Sequence, residues 1–322
     1  MKAAVYYENG GPEVMRYEEA PDPDCGPDEI LIRVEAISVE GGDLLHRQSF
    51  PHASWPHIVG YSAAGKILEI GAEVEGFRVG QSVVTFGESG SHAALRAVKK
   101  VHCWPLPAGL DVRIAAGVPA AFGTAHECLF EAGRLHAGQN VLIQGAAGGV
   151  GVAAVQLAKR AGAFVIGTAG SDARLEKLRE FGLDAGVNYK KTPDFAAEVR
   201  RLTDGAGAHV TLDMAGGGAM KATVTSTAAF GRLIIVGVAA REPTLIDAVD
   251  ILVQRLSVIG LVFGDVIGIP RTDAIIRELL ESVARGELSM PIDRAFPLEE
   301  AAAAHAYAES KDRGFGRVLL IP

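Results

Sequence analysis

Residues 143–151, IQGAAGGVG, join an apolar run to the helix-like stretch VAAVQLAKRAGA. Where a strand ends and a helix begins, free backbone N–H groups and the positive end of the helix point at an anion, so such turns hold the pyrophosphate of dinucleotides. The candidate pyrophosphate contacts are Gly148, Gly149, Val150 and Gly151. Ala146 occupies the first glycine position of the usual G-x-G-x-x-G pattern, and Gly145 before it can relieve the strain. The segment predicts a dinucleotide site, and a merely structural turn is the alternative.

The end of the next predicted strand, FVIGT, indicates which dinucleotide is bound. NAD-specific folds usually place an acidic residue there to accept hydrogen bonds from the ribose 2′-OH, and this chain has Gly170 and Ser171 instead. A 2′-phosphate can accept a bond from Ser171 and pair with Arg174, and Tyr189 can cover the adenosine. The pattern favours NADPH. The alternatives are helix capping by Ser171, a solvated Arg174, and an Asp172 that repels the phosphate or caps the helix.

The elements that position these residues fall into two groups. Before residue 107 the chain is rich in short strand patterns such as EILIRVEAISV, AAGKILEIGAEV and GQSVVTF. Apolar runs such as VLIQG, FVIGTAG and GRLIIVGV then alternate with helical stretches, and the chain closes with the strand GRVLLIP. We predict an α/β chain, with a β-rich domain at 1–118 and 265–322 and a doubly wound, mainly parallel sheet at 119–264.

Composition narrows the class of protein. The 322 residues carry a net charge of −8, which argues against a broad basic face for nucleic acid or anionic lipid. Three cysteines without a CxxC pair, and an N-terminus without an apolar signal core, indicate reduced thiols and a cytoplasmic location. The uncharged stretch 141–158 is roughly long enough to span a bilayer, but its glycines and glutamines favour a strand, a turn and a helix.

The chain resembles the zinc-independent quinone oxidoreductase branch, which includes zeta-crystallin, of the medium-chain dehydrogenase/reductase superfamily. The resemblance runs end to end through MKAAVYYENGGPEVM, PHIVGYSAAGKILEIGAEVEGFRVGQSVV, GVPAAFGTAHECL, NVLIQGAAGGVG and GRVLLIP. It implies a GroES-like catalytic domain, a Rossmann NADP-binding domain, and a homodimer joined through residues 256–263. The AAGGVG variant of the glycine turn is the one that this branch itself uses.

The resemblance also implies that no catalytic zinc is bound. Glu40 matches the usual first zinc ligand, and Tyr61 matches the ligand histidine of the G-H-E motif. A tyrosine is a poor zinc ligand, so three ligands plus water cannot be assembled from these positions. His46, His52 and His57 fall across a Pro-rich loop, and we expect them to have surface or packing roles.

Family members often show N-F-x-D-x-Y-x-R where this chain has EGGDLLHR. Asp43 and Arg47 match the pattern, whereas Glu40 and Leu45 replace the asparagine and tyrosine that face the substrate. We expect Glu40 and Leu45 to line the substrate pocket. Tyr61 is the candidate proton or hydrogen-bond donor, and a tyrosine packed between strands is the alternative. Asp43 is a candidate catalytic acid, with a loop organiser paired with Arg47 as the alternative.

The resemblance and the predicted strand ends supply further cofactor contacts. The residues so assigned are Thr124, Gly216, Gly237, Val238, Phe263 and Arg317. For each of them the alternative is plain packing at the end of a strand.

Three functions follow from the resemblance. The first is an NADPH-dependent, zinc-independent reductase of quinones or other α,β-unsaturated carbonyl compounds, because conjugation spreads the accumulating charge onto an oxygen. The second is a dedicated enoyl or enone reductase, for example of 2-substituted acrylates, which the fold cannot separate from the first. The third belongs to another class, a non-catalytic NADPH-binding protein.

Overall fold

Strands dominate the first hundred residues of the computed structural model, and strands and helices alternate from residue 140 onward. The structure describes residues 1–52, 54–192 and 194–322. In chain order the strands β1 to β15 are Lys2–Val5, Arg16–Glu19, Glu29–Ser38, Ser62–Ile70, Ser82–Phe86, Leu95–Lys99, Cys103–Pro105, Asn140–Gln144, Phe164–Ala169, Ala185–Asn188, Ala208–Asp213, Thr227–Ile235, Ser257–Gly260, Ile292–Pro297 and Arg317–Ile321.

The helices lie between these strands along the chain. Helices α1 to α10 are Gly41–Ser49, Val112–Ala115, Thr124–His126, Gly149–Arg160, Asp172–Arg179, Phe195–Leu202, Met220–Ser226, Ala248–Gln254, Pro270–Ala284 and Ala301–Glu309. Short π-helical segments, Pro119–Gly123 and Glu127–Ala132, flank α3. Single 3-10 turns lie at Pro12–Val14, Lys100–His102, Gly217–Ala219, Phe263–Val266 and Leu298–Glu300. Within the described ranges, no helix is both long and apolar enough to cross a membrane.

Two units divide the chain. The first is Met1–Gly123 with Gly264–Pro322, and the second is Thr124–Phe263. The segment Pro119–Gly123, which the sequence places in the cofactor-binding domain, belongs to the first unit because it packs against α9 and β5.

The first unit is built on a mainly antiparallel sheet. Its strands lie in the order β14-β15-β3-β4-β5-β7, with β6 also paired to β3, and β1 and β2 form a separate antiparallel pair. Strand β3 alternates between buried Ile30, Ile32 and Val34 and the exposed Arg33, because one face of the strand covers the core. The C-terminal strand β15 pairs with β3, so the end of the chain belongs to this unit.

The second unit is a parallel sheet with the strand order β10-β9-β8-β11-β12-β13. Counted from β8, this is the order 3-2-1-4-5-6 of dinucleotide-binding folds, and the order reverses between β8 and β11. The doubly wound parallel sheet expected from the sequence is confirmed. Because ligands of such sheets bind beyond the carboxyl ends of the strands at the reversal point, the residues after β8, β9, β11 and β12 are the candidates for a site.

Candidate functional site

The glycine turn joins β8 to α4, and Gly145 takes the strained backbone conformation. Gly145 has φ +74°, a left-handed conformation that favours glycine. The Ala146 side chain is fully buried and packs towards Gly167 of β9, where an added Cβ would lie 2.8 Å from the Cβ of Ala146. The alanine therefore fits because Gly145 makes the turn and Gly167 leaves the space.

Gly148 and Gly151 of the same turn have different surroundings. A Cβ at Gly151 would lie 2.5 Å from the carbonyl oxygen of Ala146, so only glycine lets α4 approach the turn this closely. A Cβ at Gly148 would meet nothing nearer than the carbonyl oxygen of Gly145 at 3.5 Å. Gly149 and Val150 are the first two residues of α4, where backbone N–H groups have no intrahelical partner. The turn thus combines open space at Gly148 with free donors, which fits a bound pyrophosphate.

Beyond β9, the structure brings Gly170, Ser171 and Tyr189 to one place. Ser171 is the N-cap residue of α5, but its hydroxyl makes no capping hydrogen bond and is free for a ligand. A Cβ at Gly170 would lie 2.7 Å from Tyr189 Oη and 3.0 Å from Lys190 Cε, so both side chains lie over this glycine. The ring of Tyr189 is 45% exposed, which leaves a face for an adenine. Arg174 lies one turn into α5 and is partly exposed.

Lys190 was missed from the sequence, although the run NYKK shows a basic residue directly after the candidate tyrosine. Asp172, which could have repelled the phosphate, is engaged by other side chains. It accepts a hydrogen bond of 2.6 Å from Asn188 Nδ2 and forms an ion pair with Lys191. Its negative charge is therefore balanced within the protein, and side-chain hydrogen bonds from Lys191 and Asn188 lower its pKa.

Loops at the carboxyl ends of β11 and β12 bring three predicted cofactor contacts together. Buried Asp213 accepts hydrogen bonds from the backbone N–H groups of Ala215 at 2.9 Å and Gly216 at 3.0 Å. Gly237 donates its N–H to the carbonyl of Asp213 at 3.4 Å, which ties the second loop to the first. Val238 follows on this loop and is 40% exposed. Burial raises the pKa of Asp213.

Two other predicted cofactor contacts lie at the ends of the second unit. Thr124 begins α3 and Phe263 is the last residue of the unit, and both side chains are buried. Their contact with the cofactor stays a prediction.

In the first unit, Glu40 and Arg317 form a buried ion pair. Arg317 also donates to Ser38 Oγ through Nε at 2.9 Å and Nη2 at 2.8 Å, and to the carbonyl of Val39 at 2.9 Å. The guanidinium expected near the cofactor thus stabilises the segment before α1. A direct contact between Arg317 and the cofactor stays a prediction.

Asp43 is fully buried in α1 and holds two backbone segments. Its Oδ2 accepts from the N–H of Glu40 at 2.8 Å, and its Oδ1 accepts from the N–H of Tyr61 at 3.0 Å. Burial, followed by the charge of Glu40, raises the pKa of Asp43 to about 8, and the two backbone bonds oppose that rise. With both oxygens engaged on the backbone, Asp43 is a loop organiser in this geometry.

The expected pairing of Asp43 with Arg47 is not observed among the described residues. The buried Arg47 guanidinium instead donates to Glu309 Oε1 and His305 Nδ1, at 2.5 and 2.8 Å, and to the carbonyl of Gly10 at 3.2 Å. Arg47 therefore joins α1 to α10. Leu45, the other expected pocket residue on α1, is partly buried.

Tyr61 is held beside the N-terminal end of α1. A Cβ on Gly42 would lie 2.7 Å from Tyr61 Oη, so the second glycine of EGGD makes room for the ring. Tyr61 Oη lies 2.9 Å from His46 Nε2, and the two rings meet edge to face at 5.3 Å. Burial, and then the charges of Asp43, Glu40 and Glu88, raise the pKa of Tyr61. Tyr61 is partly buried, and its ring is held between Gly42 and the ring of His46.

The donor set here does not fit a catalytic zinc ion. Glu40 is committed to Arg317, and a neutral phenol with a raised pKa is a poor metal ligand. His52 and His57 stack at 3.8 Å, and His52 Nε2 lies 2.9 Å from Tyr6 Oη. Within the ranges 1–52, 54–192 and 194–322, no group of three His, Cys, Asp or Glu side chains is arranged to hold a metal.

Family models match both units. The alcohol dehydrogenase GroES-like domain matches residues 26–132, and the zinc-binding dehydrogenase family matches residues 149–284. A 2-haloacrylate reductase from a Burkholderia species is 31% identical over 330 aligned positions, which cover 99% of this chain and 98% of that protein. A quinone oxidoreductase from Pseudomonas aeruginosa is 31% identical over 97% of both chains.

Solved structures share the whole fold. A mycobacterial protein complexed with NADPH has a TM-score of 0.95 at 26% identity, with all of both chains covered. A structure described as an NAD-dependent alcohol dehydrogenase has a TM-score of 0.90 at 30% identity, again over all of both chains. Relatives of this chain thus include proteins named for each of the two nicotinamide cofactors.

Proposed function

Since the chain belongs to the medium-chain dehydrogenase/reductase superfamily, on its zinc-independent quinone oxidoreductase branch, we propose that it reduces quinones or other α,β-unsaturated carbonyl compounds with NADPH. It is an oxidoreductase that uses a nicotinamide cofactor. The GroES-like and Rossmann domains expected from the sequence are those of this family.

A single observation carries the proposal: the phenol of Tyr61, which has a raised pKa, lies 2.9 Å from His46 Nε2. The resemblance matches the position of Tyr61 to a metal ligand of the zinc-dependent relatives. When bound, the nicotinamide supplies a hydride to an electrophilic carbon. Conjugation then places negative charge on an oxygen of the substrate, which needs a hydrogen-bond donor or a proton. We assign that role to Tyr61, whose raised pKa keeps the phenol protonated. Reduction of a conjugated carbonyl does not require the lowered alcohol pKa that zinc provides, so the missing metal donors are no obstacle.

For the cofactor, we propose NADPH over NADH. The support is the neutral strand end at Gly170, the uncapped hydroxyl of Ser171 and the basic side chains of Arg174 and Lys190. Asp172, the nearest carboxylate in the sequence, is balanced by Lys191. A 2′-phosphate therefore meets donors and positive charge here, whereas a free 2′-OH finds no carboxylate acceptor at the strand end.

Two alternatives have support of their own. A dedicated reductase of activated alkenes is favoured by the likeness to a 2-haloacrylate reductase over 99% of this chain. A non-catalytic NADPH-binding protein is favoured by the segment 40–47, where Glu40 and Leu45 replace residues that face the substrate in the family.

We also propose a homodimer. In the part of the chain that the structure describes, strand β13 is one of the two outer strands of the parallel sheet, with backbone groups free on one side. Three apolar side chains close to it in sequence are widely exposed, Leu252 at 74%, Val253 at 69% and Val262 at 66%. An apolar edge of this kind favours pairing with a second copy.

The proposed location is the cytoplasm. Cys25, Cys103 and Cys128 are free thiols, and Cys103 and Cys128 are buried. Reduced cysteines are typical of intracellular proteins.

The net charge of −8 and the absence of a basic motif favour small-molecule substrates over nucleic acid.

The test is NADPH oxidation by the full-length protein against a panel of 1,4-quinones, enones and 2-substituted acrylates, with NADH in parallel. The proposal expects turnover on quinones and enones with NADPH preferred. Turnover on enones or acrylates with none on quinones would select the dedicated reductase. Tight NADPH binding without turnover on any of them would select the binding protein.

A further inference from the structure

The direction of the hydrogen bond between Tyr61 and His46 depends on whether the phenol gives its own proton to a substrate. Tyr61 Oη and His46 Nε2 lie 2.9 Å apart, and either atom can donate. If the phenol gives its proton to a substrate, its oxygen must accept from His46, which requires a proton on Nε2. The imidazole then has its Nδ1 available on the far side of the ring.

Packing fixes both rings. Tyr61 lies against Gly42 and the ring of Phe86, while its backbone N–H is held by Asp43. His46 stacks on Phe50 with ring centroids 4.4 Å apart and planes tilted by 16°. Phe50 itself is 43% exposed, and His46 is partly exposed. The pair therefore runs from a supported phenol to an imidazole that water can reach.

Both groups are neutral at physiological pH. Burial, and then the nearby His52, lower the pKa of His46, while Glu88 acts in the opposite direction. Burial with Asp43, Glu40 and Glu88 raises the pKa of Tyr61. A neutral imidazole beside a neutral phenol can pass a proton without holding a net charge, because one ring nitrogen donates as the other accepts.

We propose that His46 relays a proton from solvent to Tyr61 during each reduction, an inference that rests on the proposed function. After hydride addition, the Tyr61 O–H bond breaks and its proton bonds to the anionic carbon or oxygen of the substrate. The phenolate then takes the Nε2 proton of His46 while Nδ1 takes a proton from water. One hydride and one solvent proton are consumed for each carbonyl compound reduced. Exchange with water then removes the proton from Nδ1 and returns one to Nε2, which restores the starting tautomer without rotation of the ring.

The test uses His46→Ala in the full-length enzyme, with the most active substrate of the panel. We expect kcat to fall at least about tenfold, on the usual scale for acid–base groups, with the KM for NADPH unchanged. Added imidazole should restore kcat in proportion to its concentration, since the His46 position is partly exposed. His46→Gln keeps an N–H donor towards Tyr61 but cannot pass a proton, so it should stay slow, and the solvent isotope effect on kcat should rise in both variants.

Two further variants separate the relay from a structural effect. His136→Gln alters an exposed histidine of the second unit and should keep kcat within about twofold. Tyr61→Phe should lose at least about tenfold in kcat and gain nothing from imidazole. Full kcat in His46→Ala, or full recovery in His46→Gln, would overturn the relay alone. If the wild-type protein oxidises NADPH with none of the quinones, enones or acrylates of the panel, the proposed function is wrong and the relay with it.

Discussion

The carboxylate of Glu40 and the guanidinium of Arg317 form a buried ion pair that joins the residue before α1 to the first residue of β15. The two partners are not equally supported. Besides Glu40, Arg317 has hydrogen-bond acceptors in Ser38 and Val39. The charge of Glu40, by contrast, is balanced by Arg317. A buried charge that loses its partner is strongly destabilising, whereas a charge that keeps other bonds loses less.

We therefore predict an asymmetry between two variants. Arg317→Met leaves the Glu40 carboxylate buried without a cation and should lower the free energy of unfolding by about 3–5 kcal/mol. Glu40→Gln leaves Arg317 bonded to Ser38 and Val39 and should cost clearly less. Denaturant unfolding of the two variants at neutral pH measures the difference, with Arg113→Met at an exposed ion pair as the control. Equal losses in the two buried variants would show that this account of the pair is wrong.

The fold could be predicted because its signals are local. Continuous apolar runs such as VLIQG mark strands buried on both faces, and their alternation with helices predicts a doubly wound, mainly parallel sheet. The glycine turn was likewise readable, since Gly145 and Gly151 meet requirements set by residues a few positions away.

The site in the first unit was less predictable. Tyr61 and His46 are brought together by the packing of α1 against the start of β4, and no periodicity of the sequence records that contact. The bonds of Arg47 to α10 were missed for the same reason, and Asp43 was expected to pair with it. The sequence does contain one trace of this packing, the EGGD stretch. Its second glycine, Gly42, is explained by the ring of Tyr61, which occupies the space of a side chain at that position.

The two glycines of the pyrophosphate turn should separate binding from folding. Gly148 has φ −80° and open space where an added methyl group would lie, so Gly148→Ala should fold normally and weaken NADPH binding by about tenfold. Gly151→Ala places a methyl group 2.5 Å from the Ala146 carbonyl oxygen and should lower stability by about 1–3 kcal/mol. Thermal unfolding without cofactor and NADPH fluorescence titration measure the two effects. A Gly148→Ala protein that loses stability, together with a Gly151→Ala protein that keeps its stability and loses NADPH binding, would contradict this prediction.

Charge reversal tests the preference for NADPH. Arg174→Glu and Lys190→Glu each place a negative charge beside the expected 2′-phosphate, and each should lower kcat/KM for NADPH at least about tenfold, with a smaller change for NADH. Arg179→Glu lies on the same helix, where Arg179 pairs with Glu176, and should leave the preference unchanged. If the ratio of NADPH to NADH activity stays constant in Lys190→Glu, this residue has no part in recognising the phosphate.

Two buried histidines in the first unit have tautomers that the hydrogen bonds determine. Arg47 can only donate, so His305 Nδ1, at 2.8 Å, accepts and its Nε2 carries the proton. That proton bridges to His92 Nε2 at 2.9 Å, and His92 Nδ1 then donates to Ser91 Oγ at 3.2 Å. Both imidazoles are neutral, since an extra proton would have no acceptor beside Arg47. Burial lowers the pKa of His92 to about 3 and that of His305 well below its ordinary value.

This arrangement predicts a loss of stability in acid. Below pH 6.5 the unfolded chain binds protons at these two histidines and the folded protein does not, so the free energy of unfolding falls from pH 6.5 towards pH 3. Each histidine contributes up to about 1.4 kcal/mol per pH unit in that window. The pKa of Asp43 is raised from 3.8 to about 8, so between these pH values its protonation in the folded protein increases the free energy of unfolding as the pH falls. This contribution is the same in wild type and in any variant that leaves α1 intact, so it cancels when their slopes are compared. His305→Gln keeps an acceptor for Arg47 and a donor for His92, and urea unfolding from pH 7 to pH 4.5 should show a shallower slope than wild type. Parallel slopes would mean that His305 is already protonated in the folded protein.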